Sequence, residues 1–183
     1  DLDDWKAMVK SAKNPTKEVT VALVGKYIAL HDAYISVVES LKHAGYAANA
    51  SVNIKWVDSE TVTDENAAEV FGDVSGILVP GGFGSRGIEG KISAIRYARE
   101  NNIPFLGLCL GMQLSIVEFA RHVVGFRDAH SVELNSATTH PVISLMADQE
   151  GVDNIGGTLR LGSYPCKLAK DSLAYKLYKE ELI

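Results

Sequence analysis

Cysteine is scarce in this chain: its 183 residues hold two, Cys109 and Cys166. They lie far apart with no C-x-x-C spacing, and a chain of this length and apolar content has no need of disulfide staples. Both therefore read as free thiols, Cys109 as the reactive one and Cys166 as a structural one, buried and protonated in an apolar strand context. Apolar runs long enough to span a bilayer are missing, and the acidic start Asp1-Leu2-Asp3-Asp4-Trp5 is unlike a signal peptide. That leaves no membrane association to expect, and the cytoplasm as the simplest compartment. Basic residues are neither abundant nor clustered: 18 Lys and Arg face 23 Asp and Glu, for a net charge of -5, so no electrostatic footprint for nucleic acid exists. Internal repeats and low-complexity tracts are absent, and no metal site is expected.

What is present is a 46% hydrophobic content, enough for one domain with a sizeable core. Residues 1–17 read as a helical end piece and linker, with Trp5, Met8 and Val9 on one face and a polar stretch broken by Pro15. The remainder, 18–183, reads as the domain. Val19 to Val24 is a nearly continuous apolar run ending at Gly25, as expected of a strand buried on both faces. A helix over Ala33–Gly45 follows, with Asp32 as N-cap and Gly45 as the stop. Strand Ser51–Val57, helix Asp64–Phe71, strand Gly76–Val79, helix Glu89–Asn101 and a fourth strand over 102–106 continue the alternation. Beyond Ser131 the pattern predicts a strand over Pro141–Leu145, an acidic loop over Met146–Asn154, a strand over Thr158–Gly162 and a helix over Asp171–Glu181. Strands alternating with helices imply right-handed crossovers and a three-layer α/β fold, an open, mostly parallel sheet with helices on both faces. In such sheets reactive groups collect at the carboxyl ends of the strands.

Two loops fall at those ends. Gly107-Leu108-Cys109-Leu110-Gly111 joins the fourth strand to a helix over Met112–Arg121, and G-x-C-x-G at such a junction is the cysteine form of the nucleophile elbow. Small neighbours let the backbone turn tightly, and a helix start favours an anion, so the geometry that exposes the sulfur also activates it. Pro80-Gly81-Gly82-Phe83-Gly84-Ser85-Arg86-Gly87 carries four glycines in eight residues. No Gly-Lys-Ser/Thr follows and G-x-G-x-x-G is not matched, which excludes a P-loop and a dinucleotide fingerprint. Consecutive glycines after a strand can instead aim backbone N–H groups at a neighbouring strand end, and an oxyanion needs two such donors. Gly82 and Leu110 are the candidate pair. A base is harder to find. The five histidines are His31, His43, His122, His130 and His140; His43 and His122 fall near helix ends, the others in loops, and none sits in a His-x-Glu or similar pairing.

The segments LVPGGFGSRG (Leu78–Gly87) and ARENNIPFLGLCLGMQL (Ala98–Leu114) resemble class I glutamine amidotransferase domains. With VALVGKYIALHDAYISVVESLKHAG (Val21–Gly45), SVNIKWVDSE (Ser51–Glu60) and GGTLRLGSYPCKL (Gly156–Leu168), the resemblance narrows to glutaminase domains of the CTP synthase family, a flavodoxin-like architecture. It implies hydrolysis of L-glutamine through a thioester, with Cys109 as nucleophile, Gly82 and Leu110 as oxyanion donors, and Gln113 and Glu133 on the substrate's amino acid end. Phe83 and Arg86 fall in the loop that the family associates with the activator GTP. The implied partners are a synthase (amidoligase) domain, which aminates UTP with ATP and Mg2+, and further copies of the full-length enzyme in a homo-tetramer. The domain itself is expected to carry no cofactor. In the family the catalytic His and Glu stand in an H-P-E motif preceded by a basic segment. Neither is found in these 183 residues, so the expectation is a fragment that is inactive alone. The alternatives are a non-catalytic binding module, or another cysteine hydrolase on the same fold, such as one cleaving γ-glutamyl peptides.

Overall fold

The structure, a computed structural model, describes residues 1–145 and 163–183. It divides into two compact units, Asp1–Ser144 and Leu145–Ile183. The strand and acidic loop expected at Thr158–Gly162 and Met146–Asn154 lie outside the described residues.

In the first unit the apolar runs become strands β1 (Lys17–Gly25), β2 (Ala50–Asp58), β3 (Gly76–Val79) and β4 (Phe105–Gly107). They form one parallel sheet in the order β2-β1-β3-β4. Helices α1 (Asp3–Lys13), α2 (Ile35–Ala48), α3 (Ala67–Phe71), α4 (Ile88–Glu100) and α5 (Leu110–Phe119) fill the connections. The period-two alternation of β1 assigns the faces. Leu23 joins Leu78 of β3, Tyr34 and the partly buried Val37, Val38 and Leu41 of α2 on one side. Ala22 and Val24 join Ile77, Val79, Phe71, Ile92, Leu114 and Val117 on the other, beneath α3, α4 and α5. Helices thus cover both faces, and α1 packs on α2 as an outer layer. A second parallel pair, β5 (His130–Ser131) with β6 (Pro141–Ile143), packs against α5. The sequence pattern carried no sign of β5, which is too short for any periodicity.

The bounds of α2 differ from the expectation. A 3-10 turn over His31–Tyr34 precedes it, Tyr34 rather than Asp32 holds the N-cap position, and Asn49 closes it with φ 53°. Gly45 does not stop the helix. It sits buried inside it because a Cβ there would lie 2.7 Å from the Ala50 carbonyl oxygen and 2.9 Å from Val52 Cγ2. Close helix–strand approach, rather than a left-handed cap, is what requires glycine at this position.

Cys166 is the other correction. In the second unit its backbone N–H and carbonyl pair with Ile183, and Lys167 bridges to Leu182, but its side chain is exposed rather than buried. The apolar context that suggested a buried strand has no covering layer among the described residues of that unit. A short helix, α6 (Leu173–Tyr178), shorter than the expected 171–181, starts at Ser172, whose hydroxyl accepts from the Tyr175 N–H at 3.1 Å.

One charged pair ties α4 to α5. Glu118 is only 1% exposed, and Arg99 grips it with two fork nitrogens, Nε at 2.9 Å from Oε2 and an Nη at 2.8 Å from Oε1. His122 adds its Nδ1 at 3.2 Å from the same carboxylate. The hydrogen bond to Glu118 holds the Arg99 guanidinium above its ordinary range. A side chain this enclosed depends on its partners, so removing one partner costs more than removing both. Arg99→Leu is expected to destabilise the fold by about 3 kcal/mol in urea unfolding, and Arg99→Leu with Glu118→Leu to recover most of that. Equal losses for the single and double variants would show that the pair carries no such coupling.

Candidate active site

Cys109 occupies the position between β4 and α5 with φ 52° and ψ −109°. For a residue with a Cβ this is a strained conformation, costing on the order of 1–3 kcal/mol. Neighbouring contacts enforce it. The Leu108 N–H donates to the Val79 carbonyl at 3.0 Å, the Gly111 N–H to the Leu108 carbonyl at 2.9 Å, and the Gln113 N–H to the Cys109 carbonyl at 3.1 Å. A Cβ on Gly111 would stand 2.0 Å from the Val79 carbonyl oxygen, and one on Gly107 2.5 Å from the Gly111 carbonyl carbon. Only glycines permit this turn. The result is an exposed sulfur at the start of a ten-residue helix. Leu110 is the first residue of that helix, and its N–H belongs to the group that has no intrahelical partner.

The glycine-rich loop lies against the elbow. A Cβ on Gly81 would meet Cys109 Cβ at 3.3 Å and its Sγ at 3.8 Å, so the loop passes beside the elbow where a side chain would crowd the thiol, and Gly82 follows one residue on. Gln113 is half-buried in the first turn of α5. Glu133 is exposed in the turn after β5, with its N–H donating to Ser131 Oγ at 3.3 Å. Phe83 presents its ring to solvent, 71% exposed, while its carbonyl accepts from Lys26 Nζ. Arg86 pairs with Glu60 at 3.1 Å, and its guanidinium lies 5.9 Å from the centre of the Tyr27 ring. Lys26 lies over the same ring at 5.1 Å.

Two lysines flank the loop, and neither was singled out from the sequence. Lys26 follows β1. Lys91 is on α4, 1% exposed, with its Nζ 3.8 Å from where a Gly82 Cβ would stand. Burial, and then the nearby Lys26, push the Lys91 ammonium below its ordinary range. A signal for it did exist: Lys91 interrupts the buried stripe Ile88, Ile92, Ile95 at helical spacing.

The histidines are engaged elsewhere. His31 stacks on Trp56 at 4.1 Å between ring centres, and His43 lies beside Tyr46. His122 serves Glu118. His130 accepts the Ser131 N–H at 3.0 Å, and burial, with Arg121 nearby, pushes its imidazole below the usual histidine range. His140 stacks on Phe126 and bonds Asp128, whose carboxyl is held well below the ordinary carboxylate range by the Thr139 hydroxyl and N–H and by His140. Among the described residues, none of the five makes a hydrogen bond to Cys109. An apolar cleft of about 570 Å³ opens between α4, α5 and β4, lined by Ile95, Ile103, Phe105, Ile116, Phe119 and Phe126. It does not include Cys109 and holds no nucleophile of comparable exposure, so the chemistry belongs to the elbow. No cluster of three or more His, Cys, Asp or Glu side chains among the described residues is arranged to hold a metal ion. No helix among them is long and apolar enough to cross a membrane.

Comparison with known proteins gives the same outline. A family model described as Glutamine amidotransferase class-I matches residues 29–181. The chain is 61% identical over its whole length to CTP synthases of Clostridium acetobutylicum and Halalkalibacterium halodurans, and 57% identical to that of Geobacillus kaustophilus, covering 34% of each relative. It thus spans about a third of the length of these relatives. The solved structure of the Trypanosoma brucei CTPS glutaminase domain with bound acivicin superposes with a TM-score of 0.78 at 39% identity, covering 90% of this chain and 64% of that one.

Both thiols are exposed, so accessibility does not distinguish them. Iodoacetamide under native conditions is expected to label both Cys109 and Cys166, read by peptide mass spectrometry. Protection of Cys166 until urea is added would contradict its exposed position.

Proposed function

Because this chain belongs to the class-I glutamine amidotransferase family, we propose that it is the glutaminase region of a CTP synthase and that Cys109 hydrolyses L-glutamine. The observation that carries the reading is the strained backbone of Cys109, which places an exposed thiol at a helix start beside Gly81. The sulfur attacks the side-chain amide carbon of glutamine, and the carbonyl oxygen takes up negative charge. The N–H groups of Gly82 and Leu110 receive that oxyanion. The C–N bond breaks, nitrogen leaves as ammonia with an added proton, and a glutamyl thioester remains. Water then attacks the thioester, releasing glutamate and restoring the thiol. Gln113 and Glu133 hold the amino acid end of the substrate, the Glu133 carboxylate facing its ammonium. Ammonia passes to a synthase domain that uses ATP and Mg2+ to aminate UTP, in a homo-tetramer of the complete enzyme located in the cytoplasm. Phe83 and Arg86, with Lys26 beside them, supply an exposed ring and cationic groups suited to a nucleotide, in keeping with activation by GTP.

Both proton steps, to the leaving nitrogen and from the incoming water, need a positioned acid/base, worth about 10²- to 10⁴-fold. The five histidines have their partners elsewhere, which supports a base supplied from outside these 183 residues. The same observation favours the second reading, a module that binds glutamine without turning it over.

Ammonia release from this chain is therefore expected to fall about 10²- to 10⁴-fold below that of a longer form carrying an H-P-E segment. Cys109→Ala abolishes release in the longer form. Equal rates in the two forms would return attention to His31, His130 and His140 as the base. Calorimetric binding of glutamine with no release from the longer form would establish the binding module instead.

Gly82→Pro in the longer form removes one oxyanion donor and is expected to lower kcat by about 10²- to 10³-fold with glutamine binding unchanged. A parallel loss of binding would show that the loop had misfolded.

A further inference from the structure

We infer that Ser131 is a positioning residue for Glu133, its buried hydroxyl fixing the backbone from which the Glu133 carboxylate reaches the ammonium of glutamine; the inference rests on the glutaminase reading. Glu133 is exposed, so its carboxylate is placed by the main chain rather than by packing. That main chain is held at every amide from residue 130 to residue 135. The His130 N–H donates to the His140 carbonyl at 3.2 Å and the Val132 N–H to the Ile143 carbonyl at 3.0 Å, which pins β5 to β6. The Ser131 N–H donates to His130 Nδ1 at 3.0 Å. The remaining N–H groups all end on Ser131: those of Leu134 and Asn135 on its carbonyl at 3.1 and 2.9 Å, and that of Glu133 on its Oγ at 3.3 Å.

Ser131 is 2% exposed, in a strand that packs against α5. A hydroxyl so enclosed costs stability unless it is hydrogen-bonded, and an alanine would occupy the same place without that demand. The bond it accepts comes from two residues on, the reach at which a serine side chain holds a turn closed. Of the contacts that end on Ser131, the one to Glu133 alone can be removed by substitution with the backbone bonds left in place. Without it the Glu133 peptide can turn toward water, and the carboxylate swings with it. Cys109, Gly82 and Leu110 stand on other elements, so the loss falls on substrate binding rather than on the chemical step.

The test is made in the complete gene product that carries this sequence, with Ser131→Ala, Ser131→Thr, Glu133→Ala and the double variant of Ser131→Ala with Glu133→Ala. Loss of one such hydrogen bond corresponds to a factor of about three to ten in binding. Ser131→Ala is expected to raise KM for glutamine about three- to tenfold at unchanged kcat for ammonia release, and Ser131→Thr, which keeps the hydroxyl, to restore the parent KM. In the Glu133→Ala background the same serine substitution is expected to leave KM where it stands, because its effect runs through that carboxylate. An unchanged KM in Ser131→Ala, an equal rise in both backgrounds, or a joint fall of kcat and thermal midpoint that Thr does not rescue would overturn the inference and leave the glutaminase reading intact. A parent that releases no ammonia would overturn that reading, and a Glu133→Ala variant with the parent's KM would overturn the role of Glu133; either takes the inference with it.

Discussion

The approach of α5 to the end of β3 is the constraint on which the site depends. The first turn of α5 comes so near the Val79 carbonyl that no side chain fits at Gly111, and the turn is so tight that none fits at Gly107. These two absences let the backbone at Cys109 take a conformation that the residue would not choose, because the hydrogen bonds from Leu108, Gly111 and Gln113 close around it. A methyl group at Gly111 would push the helix off the strand, since a packed interior does not yield by an ångström without repacking. The thiol would then move away from Gly81, and the elbow would lose its geometry before it lost its chemistry.

Parallel pairing does the rest of the assembly. Because β1, β3 and β4 run the same way, the loops leaving them emerge on one edge of the sheet, and their order puts the β3 loop between the other two. Lys26 after β1, Gly81 to Gly84 after β3 and Cys109 after β4 therefore meet without any long-range pairing specific to them. The crossover helices contribute from beneath, since α4 begins where the glycine loop ends and carries Lys91 back under it.

Two ionisable side chains, Glu118 and Lys91, are enclosed on neighbouring helices. Glu118 is enclosed but answered by Arg99 and His122, so its charge works as a clasp between α4 and α5. Lys91 is equally enclosed, with a second cation rather than a carboxylate nearby.

The sequence alone determined the alternation of strands and helices, because continuous β-branched runs and 3.6-residue periodicity are local properties. The elbow at Cys109 was legible for the same reason: its glycine spacing is itself the steric requirement. Other features could be settled only in three dimensions. Gly45 looked like a helix stop, but the strand passing beside α2 is what demands it, and that strand is a tertiary neighbour. Asp32 had the right chemistry for an N-cap, yet a 3-10 turn moved the helix start past it. Cys166 read as buried from its apolar neighbours in sequence, whereas burial depends on what covers a segment, and the structure leaves it exposed. The partners of the five histidines were likewise invisible, since stacking on Trp56 or Phe126 and bonding to Asp128 or Glu118 depend on where separate elements come to rest. Local pattern decides which elements form and where the chain can turn; the contacts between elements decide which side chains are enclosed, which are paired, and which remain free to act.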